Sequence, residues 1–342
     1  MRNDDLLILK GDEVTSLLRD REHDIIAAVR GAYESHAKGT SASPFATPLH
    51  FPGDAVNRIV ALPAYLGESP EVAGLKWIAS FPDNGARGID RASAVVILNS
   101  TLTGRPEAIL EGSIISAKRT AASAALAARV LHGSDNIDSI GLIGCGLINF
   151  EIARFLFAVW PKIDSVYVHD TYREAAIRFK DKVRLLQERV EVCVEEDVRA
   201  VFRKCPIVSL ATTALRPHIV DISGVKPGST ILHVSLRDFE PGVILSCDNV
   251  VDDIDHVCRA QTSIHLTEQL LGGRDFIRTT LGNVLLGEAP AREDPNDTVI
   301  FSPFGLGILD LAVGILAAAS AAEQGKGTRL ESFFPNHWVA RT

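Results

Sequence analysis

A chain of 342 residues with 46% apolar and 23% charged side chains has the balance of a folded globular protein. It is long enough for two domains, because single hydrophobic cores stop growing near roughly 250 to 300 residues. A formal charge of -8, from 35 basic and 43 acidic residues, leaves no basic surplus for a nucleic-acid backbone, so no nucleic-acid partner is expected.

The opening residues MRNDDLLILK lack the long apolar core of an export signal, and a cytoplasmic protein is expected. Residues 12–39 carry helical periodicity through Leu17, Leu18, Ile25, Ile26, Val29 and Tyr33, with Gly39 as the stop. A loop, TSASPFATP, follows. The extended runs RIVALPAYL, VAGLKWIAS, ASAVVILN and RPEAILEG, separated by Gly, Pro and Asn, predict an antiparallel meander. Residues 113–131 are Ala-rich and read as one long helix.

From there the rhythm becomes strand, helix, strand. The runs IDSIGLIG, SVYVHD, VEVCV, PIVSLAT, STILHVS and NVVDD predict a parallel sheet with crossover helices. A polar loop, a Gly-rich turn and a last apolar run at residues 308–322 close the chain. That run is interrupted by Asp310 and is shorter than the roughly 20 residues of a bilayer span, so it reads as a buried helix and no membrane partner is expected. Five cysteines, Cys145, Cys193, Cys205, Cys247 and Cys258, have no metal-ligand spacing and read as buried thiols of a reducing compartment.

The stretch IGLIGCGLINFE places Gly144 and Gly146 between a strand and a helix, with Asp170 ending the next strand. Gly144 permits a tight turn and Gly146 lets backbone N–H groups approach a pyrophosphate at the helix N-terminus. Asp170 would accept hydrogen bonds from an adenosine ribose and repel a 2'-phosphate, which favours NAD over NADP; Arg173 nearby offers that phosphate a partner. Asn149 stands where a third glycine would favour close helix–strand packing. The alternative is a tight structural turn in a flavodoxin-like domain.

Among charged residues, Lys76 lies inside an apolar strand and either snorkels to solvent or points into a site that tunes its pKa. Arg119, beside Thr120, sits among small residues that allow close approach of a ligand or a second helix. Arg58 opens a meander strand and also reads as an ordinary surface charge. Asp238 follows STILHVSLR, the fifth strand of the parallel sheet, at the end where open α/β sheets bind ligands. There it can orient water or take a proton from an amine, or cap a turn, since DFEP is good turn chemistry.

Taken together, GLKWIASFPDN, SAKRTAAS, GLIGCGLI, the strand-end Asp238 and GEAPAREDPNDTVIFSPFGLGILDLA resemble the ornithine cyclodeaminase and mu-crystallin family over about residues 5–330. More narrowly, DRASAVVILN, ESHAKG and RIVALPAYLG resemble its subgroup that makes 2,3-diaminopropionate for siderophores and other nonribosomal products. The resemblance implies oxidation of N-(1-amino-1-carboxy-2-ethyl)glutamate with NAD, then hydrolysis to 2-oxoglutarate and L-2,3-diaminopropionate. It implies that Arg58, Lys76 and Arg119 hold substrate carboxylate, with Phe304 also on the substrate side. It makes Asp238 and Lys76 the catalytic pair. Gly144, Gly146, Leu147, Ile148, Asp170, Thr120, Thr212 and Ser235 would line NAD, and no metal is required.

Two departures matter. Where ornithine cyclodeaminases follow the strand-end Asp with Pro-Gly-Lys-x-Glu, this chain has Phe239-Glu240-Pro241-Gly242-Val243, which disfavours ornithine and removes that lysine's coenzyme contact. Arg91 stands where other branches carry a smaller residue; it either meets an additional carboxylate of a more acidic substrate or pairs with Asp90 or Asp83 at the surface. The alternatives are an amino-acid cyclodeaminase or simple dehydrogenase on the same scaffold, and a mu-crystallin-like binding protein. The expected architecture is α/β: a Rossmann-type NAD-binding domain at 121–304 and a discontinuous α+β substrate-binding and dimerisation domain at 1–120 and 305–342. The edge strands of the meander suit a homodimer.

Overall fold

The computed structural model describes residues 5–67 and 70–335. It separates into two compact units, one running up to Arg119 and resuming at Leu306, the other Thr120–Gly305.

The first unit is built on a sheet with eight strands among the described residues. The four meander strands, Asp54–Leu66, Val72–Ser80, Ala92–Asn99 and Pro106–Glu111, pair antiparallel in succession. Three features were not expected from the sequence. Leu6–Leu9 joins the sheet parallel to Pro106–Glu111, and Ser41–Ala42, inside the stretch read as a loop, and Thr47–Phe51, which begins in it, both pair with Asp54–Leu66. The periodic segment at 12–39 is two helices, Gly11–Leu17 and Glu22–Ala37, because Asp20 adopts a left-handed φ of 56° between them. Side-chain periodicity continues across such a break, which is why the pattern alone did not reveal it.

The Gly307–Gln324 helix packs on the three longest meander strands, and Glu22–Ala37 packs against it. Among the described residues it is the one helix long and apolar enough to cross a membrane, with a mean hydropathy of 1.3, and 61% of it is buried within the protein. It is a core helix. Strand alternation sends Gly74, Lys76 and Ile78 toward one face of the sheet and Leu75, Trp77 and Ala79 toward the other.

The second unit is a parallel sheet in the order Glu191–Val194, Ser165–His169, Ser139–Ile143, Ile207–Leu210, Thr230–His233, Val299–Ser302, Asp248–Val251, Ile277–Thr280. The Val299–Ser302 strand lies in the stretch read as a polar loop and Gly-rich turn, and the Ile277–Thr280 strand in a stretch assigned no element from the sequence. Central strands such as Ser139–Ile143 and Ile207–Leu210 are buried at every residue, as a sheet covered on both faces requires. The chain winds outward from Ser139–Ile143 through Ser165–His169 to Glu191–Val194, then returns to start the other half at Ile207–Leu210. That reversal opens a crevice at the carboxyl ends of these strands. Cys205 and Cys258 are buried, whereas Cys145, Cys193 and Cys247 are only partly so, which corrects the expectation of five buried thiols.

Candidate active site

In the second unit a cleft of about 540 Å³ lies at that crevice, lined by Gly144, Gly146, Asp170, Tyr172, Thr212 and Arg216 among others. Gly144 has a φ of +91°, and an added Cβ would sit 2.5 Å from the Ala211 carbonyl oxygen, so both conformation and space demand glycine. A Cβ on Gly146 would meet nothing within 4 Å. Its glycine keeps the cradle open rather than relieving an internal clash. Gly146 is also the N-cap of the 13-residue Leu147–Val159 helix, whose first N–H groups have no intrahelical partner. A bare backbone cradle at a helix N-terminus suits the pyrophosphate of a dinucleotide.

Asp170 is drawn into this turn: one carboxylate oxygen accepts the Cys145 N–H at 2.8 Å and the other the Tyr172 N–H at 2.9 Å. Each oxygen keeps a lone pair for a ribose hydroxyl. Arg173 is paired with Glu196 at 2.6 Å. Asn149, the apparent flaw in the glycine motif, is fully buried and ties the turn together. Its Nδ2 donates to the carbonyls of Ile143 at 2.8 Å and Gly144 at 2.7 Å, and its Oδ1 accepts from Ser209 at 2.8 Å. Leu147 and Ile148 begin the adjoining helix, and they, Thr120 and Ser235 lie outside the cleft lining. Arg216 and His218, which sequence reasoning passed over, lie in it. Phe304 is elsewhere in this unit, its N–H donated to the buried Asp252 at 2.8 Å.

Asp238 is fully buried, five residues beyond the Thr230–His233 strand. Thr212 donates to its Oδ1 and Ser235 to its Oδ2, and His233 Nε2 lies 3.2 Å from Oδ2. Burial pushes the carboxyl up, but the hydrogen bond and charge of His233, with the Ser235 and Thr212 hydroxyls, outweigh it and hold the group below its usual range. Between Ser235 and Asp238, Leu236 adopts a φ of 67° and its carbonyl accepts the Ser263 N–H at 2.7 Å, a locally strained turn pinned by its neighbours. The carboxylate therefore has no open edge of its own. Of its partners, Thr212 belongs to the cleft lining.

The first unit holds a second buried carboxylate, noted in the sequence only as an interruption. Asp310 accepts Lys76 Nζ at 2.7 Å and Arg119 Nε at 3.1 Å. Asp310 is fully buried and Lys76 is 2% exposed, so the lysine does not snorkel. Ser116 Oγ lies 3.3 Å from the same ammonium. Burial, then repulsion from Arg119, lower Lys76 to about 8, against the attraction of Asp310. Two cations thus share one carboxylate. The contact is possible because two glycines let the layers approach: a Cβ on Gly74 would lie 2.7 Å from Leu311, and one on Gly307 3.1 Å from Ala64. The signal available in the sequence was the lone acid in an apolar helix.

Arg58 is cross-strand partner to Ser80, which lies on the Lys76 face of the Val72–Ser80 strand, and Arg91 donates to the Ser80 hydroxyl at 3.3 Å. Burial and the nearby Arg58 lower Arg91. Among the described ion pairs none joins Arg91 to Asp83 or Asp90, the surface pairing that the sequence left as one of two alternatives.

Over 338 residues the chain is 27% identical to N-((2S)-2-amino-2-carboxyethyl)-L-glutamate dehydrogenase of Staphylococcus aureus (strain NCTC 8325 / PS 47), covering 97% of this chain and 100% of that protein. The fold matches Delta(1)-pyrroline-2-carboxylate reductase of Thermococcus litoralis, solved with NADH and L-proline, at a TM-score of 0.86 and 25% identity over 94% of this chain and 99% of that one. It matches an archaeal alanine dehydrogenase dimer with bound NAD at a TM-score of 0.86 and 27% identity over 96% and 100%. With the family model matched across residues 6–324, the chain belongs to the ornithine cyclodeaminase/mu-crystallin family.

Proposed function

We propose that this chain, an NAD-dependent oxidoreductase of amino-acid CH–NH groups, acts on N-(1-amino-1-carboxy-2-ethyl)-L-glutamate and releases 2-oxoglutarate and L-2,3-diaminopropionate. The observation that carries the reading is the set of cations Lys76, Arg119, Arg58 and Arg91 in the first unit. Lys76 and Arg119 share the single carboxylate of Asp310, and Arg58 and Arg91 flank Ser80 on the same sheet face with no acid partner among the described residues. A monocarboxylate such as alanine would answer one of these cations; a substrate with three carboxylates answers the set. Guanidinium and ammonium donors fix a carboxylate in orientation as well as position.

NAD, when bound, supplies the hydride acceptor. The bare cradle at Gly146 and the Asp170 carboxylate are the groups that would hold its pyrophosphate and adenosine ribose. A 2'-phosphate would meet the Asp170 charge, and Arg173 is already engaged by Glu196. Lys76 and Arg119 would anchor the carboxylate beside the reacting carbon and stabilise charge on it as the imine forms. Asp238 would take the amine proton and later serve the water that adds to the imine carbon. Leu49, Ile59, Trp77 and Val95 share the sheet face opposite Lys76, with Leu49 47%, Trp77 37% and Val95 38% exposed, an apolar surface suited to a homodimer.

The test is direct. Purified protein is mixed with NAD and the glutamate–diaminopropionate conjugate, and separately with alanine, proline and ornithine. The expected result is NADH accumulation with stoichiometric 2-oxoglutarate from the conjugate alone. Turnover of alanine or ornithine in preference to the conjugate would replace this assignment with a simpler dehydrogenase or a cyclodeaminase.

A further inference from the structure

Asp238 is fully buried, and one of its donors, Thr212, lines the cleft. On its other side His233 Nε2 lies 3.2 Å from Asp238 Oδ2, while His233 Nδ1 lies 3.2 Å from the Ser302 hydroxyl on the next strand. The imidazole is fully buried and stacked at 4.7 Å from the Phe239 ring. Nε2 accepts the Asp238 backbone N–H at 3.2 Å, so its lone pair is turned toward Asp238, and the three side chains run in sequence from the wall of the cleft to the interior.

We propose that Thr212, Asp238 and His233 form a proton relay, with the Thr212 hydroxyl as its catalytic mouth and His233 as the positioning residue that shares the stored proton with Asp238. This rests on the reading above, in which the substrate amine must lose a proton as hydride leaves. The amine gives its proton to Thr212 Oγ1 as the hydroxyl's own proton passes to Asp238 Oδ1. Thr212 ends as it began, the amine lone pair is free to form the imine, and the Asp238–His233 pair has gained one proton and one unit of positive charge. No electron pair leaves the relay.

The groups facing Asp238 are Thr212, Ser235 and His233; those facing His233 are the carboxylate and backbone N–H of Asp238, Ser302 and Phe239. Among the described residues no Lys, Arg or second carboxylate lies within ion-pair distance of either. Thr212 also accepts the Ala214 N–H at 3.2 Å, a local turn role that serine would keep and valine would lose.

The experiment compares Thr212→Val, Thr212→Ser, His233→Gln and Asp238→Asn. Thr212→Val is expected to lower kcat/KM by about 10²-fold, with coenzyme affinity within a few-fold of the parent, and Thr212→Ser to restore it. His233→Gln is expected to displace the acidic limb of the pH profile. In the coenzyme-free protein, the ¹⁵N resonance of His233 Nε2 is expected to move on Asp238→Asn, a readout independent of turnover and of any folding defect in the histidine variant. Wild-type kcat and pH profile in Thr212→Val, or an unmoved Nε2 resonance, would overturn the relay. If Asp238→Asn is inactive while Thr212→Val is not, the relay alone falls; if Asp238→Asn turns over normally, the underlying role of Asp238 falls with it.

Discussion

The molecule buries two aspartates in opposite ways. Asp310 is surrounded by charge, serving as the common counter-ion of Lys76 and Arg119, whereas Asp238 is surrounded by hydroxyls and an imidazole. In the first setting the carboxylate is consumed electrostatically and what remains for a ligand is surplus positive charge. In the second it stays ionised through hydrogen bonds, with its basicity available to whatever the hydroxyls touch. Under the proposed function, identical side chains would serve binding in one unit and proton transfer in the other through their partners alone.

That contrast can be broken, and the largest effect should come from the proton-handling side. Asp238→Asn keeps the size and most hydrogen bonds but not the base, and should lose roughly 10²- to 10⁴-fold in kcat with coenzyme affinity retained; steady-state rates and coenzyme titration check it. Asp310→Asn removes charge from between two buried cations and should cost about 3–5 kcal/mol of stability, measured by denaturant unfolding. If the two variants exchanged phenotypes, the division of labour would be reversed.

Arg119→Ala should raise KM by roughly ten- to a hundredfold, the scale of one charge-assisted carboxylate contact at about 1.5–3 kcal/mol, with a smaller change in kcat; an unchanged KM would leave Arg119 a packing residue. The smallest effect is one of pH. Lys76 is a cation below about 8 and loses its charge as the pH rises through that value, so kcat/KM for an anionic substrate should fall on the alkaline side. Lys76→Arg, which cannot be deprotonated in this range, should remove that limb.

Much of the architecture was legible because its signals are local. Gly144, the strands around it and Asp170 are consecutive in sequence and make one turn, and the meander's alternating pattern follows from each strand having two unlike faces. What the sequence concealed depends on distant partners. Nothing near Asp310 announces that its helix will lie on the strand of Lys76, 234 residues away. Nor does the sequence show that Asp238 will be closed over by Thr212 and Ser235, or that His233 will stand behind it. Asn149 misled for a related reason: its value lies in two carbonyls and one serine hydroxyl that only the folded turn brings within reach.

Gly74 and Gly307 acquire a different meaning beside these charges. By letting helix and strand nearly touch, they set an interlayer gap that the short aspartate arm spans to reach Lys76. A glutamate at 310 would carry an extra methylene into this narrow space, alanine at 307 would press the helix on Ala64 and the Leu62 carbonyl, and alanine at 74 would meet the Ile97 carbonyl of the next strand as well as Leu311. The packing of the smallest side chains thus acts as a ruler, dictating which acid can neutralise the lysine and how much of its charge is left to offer.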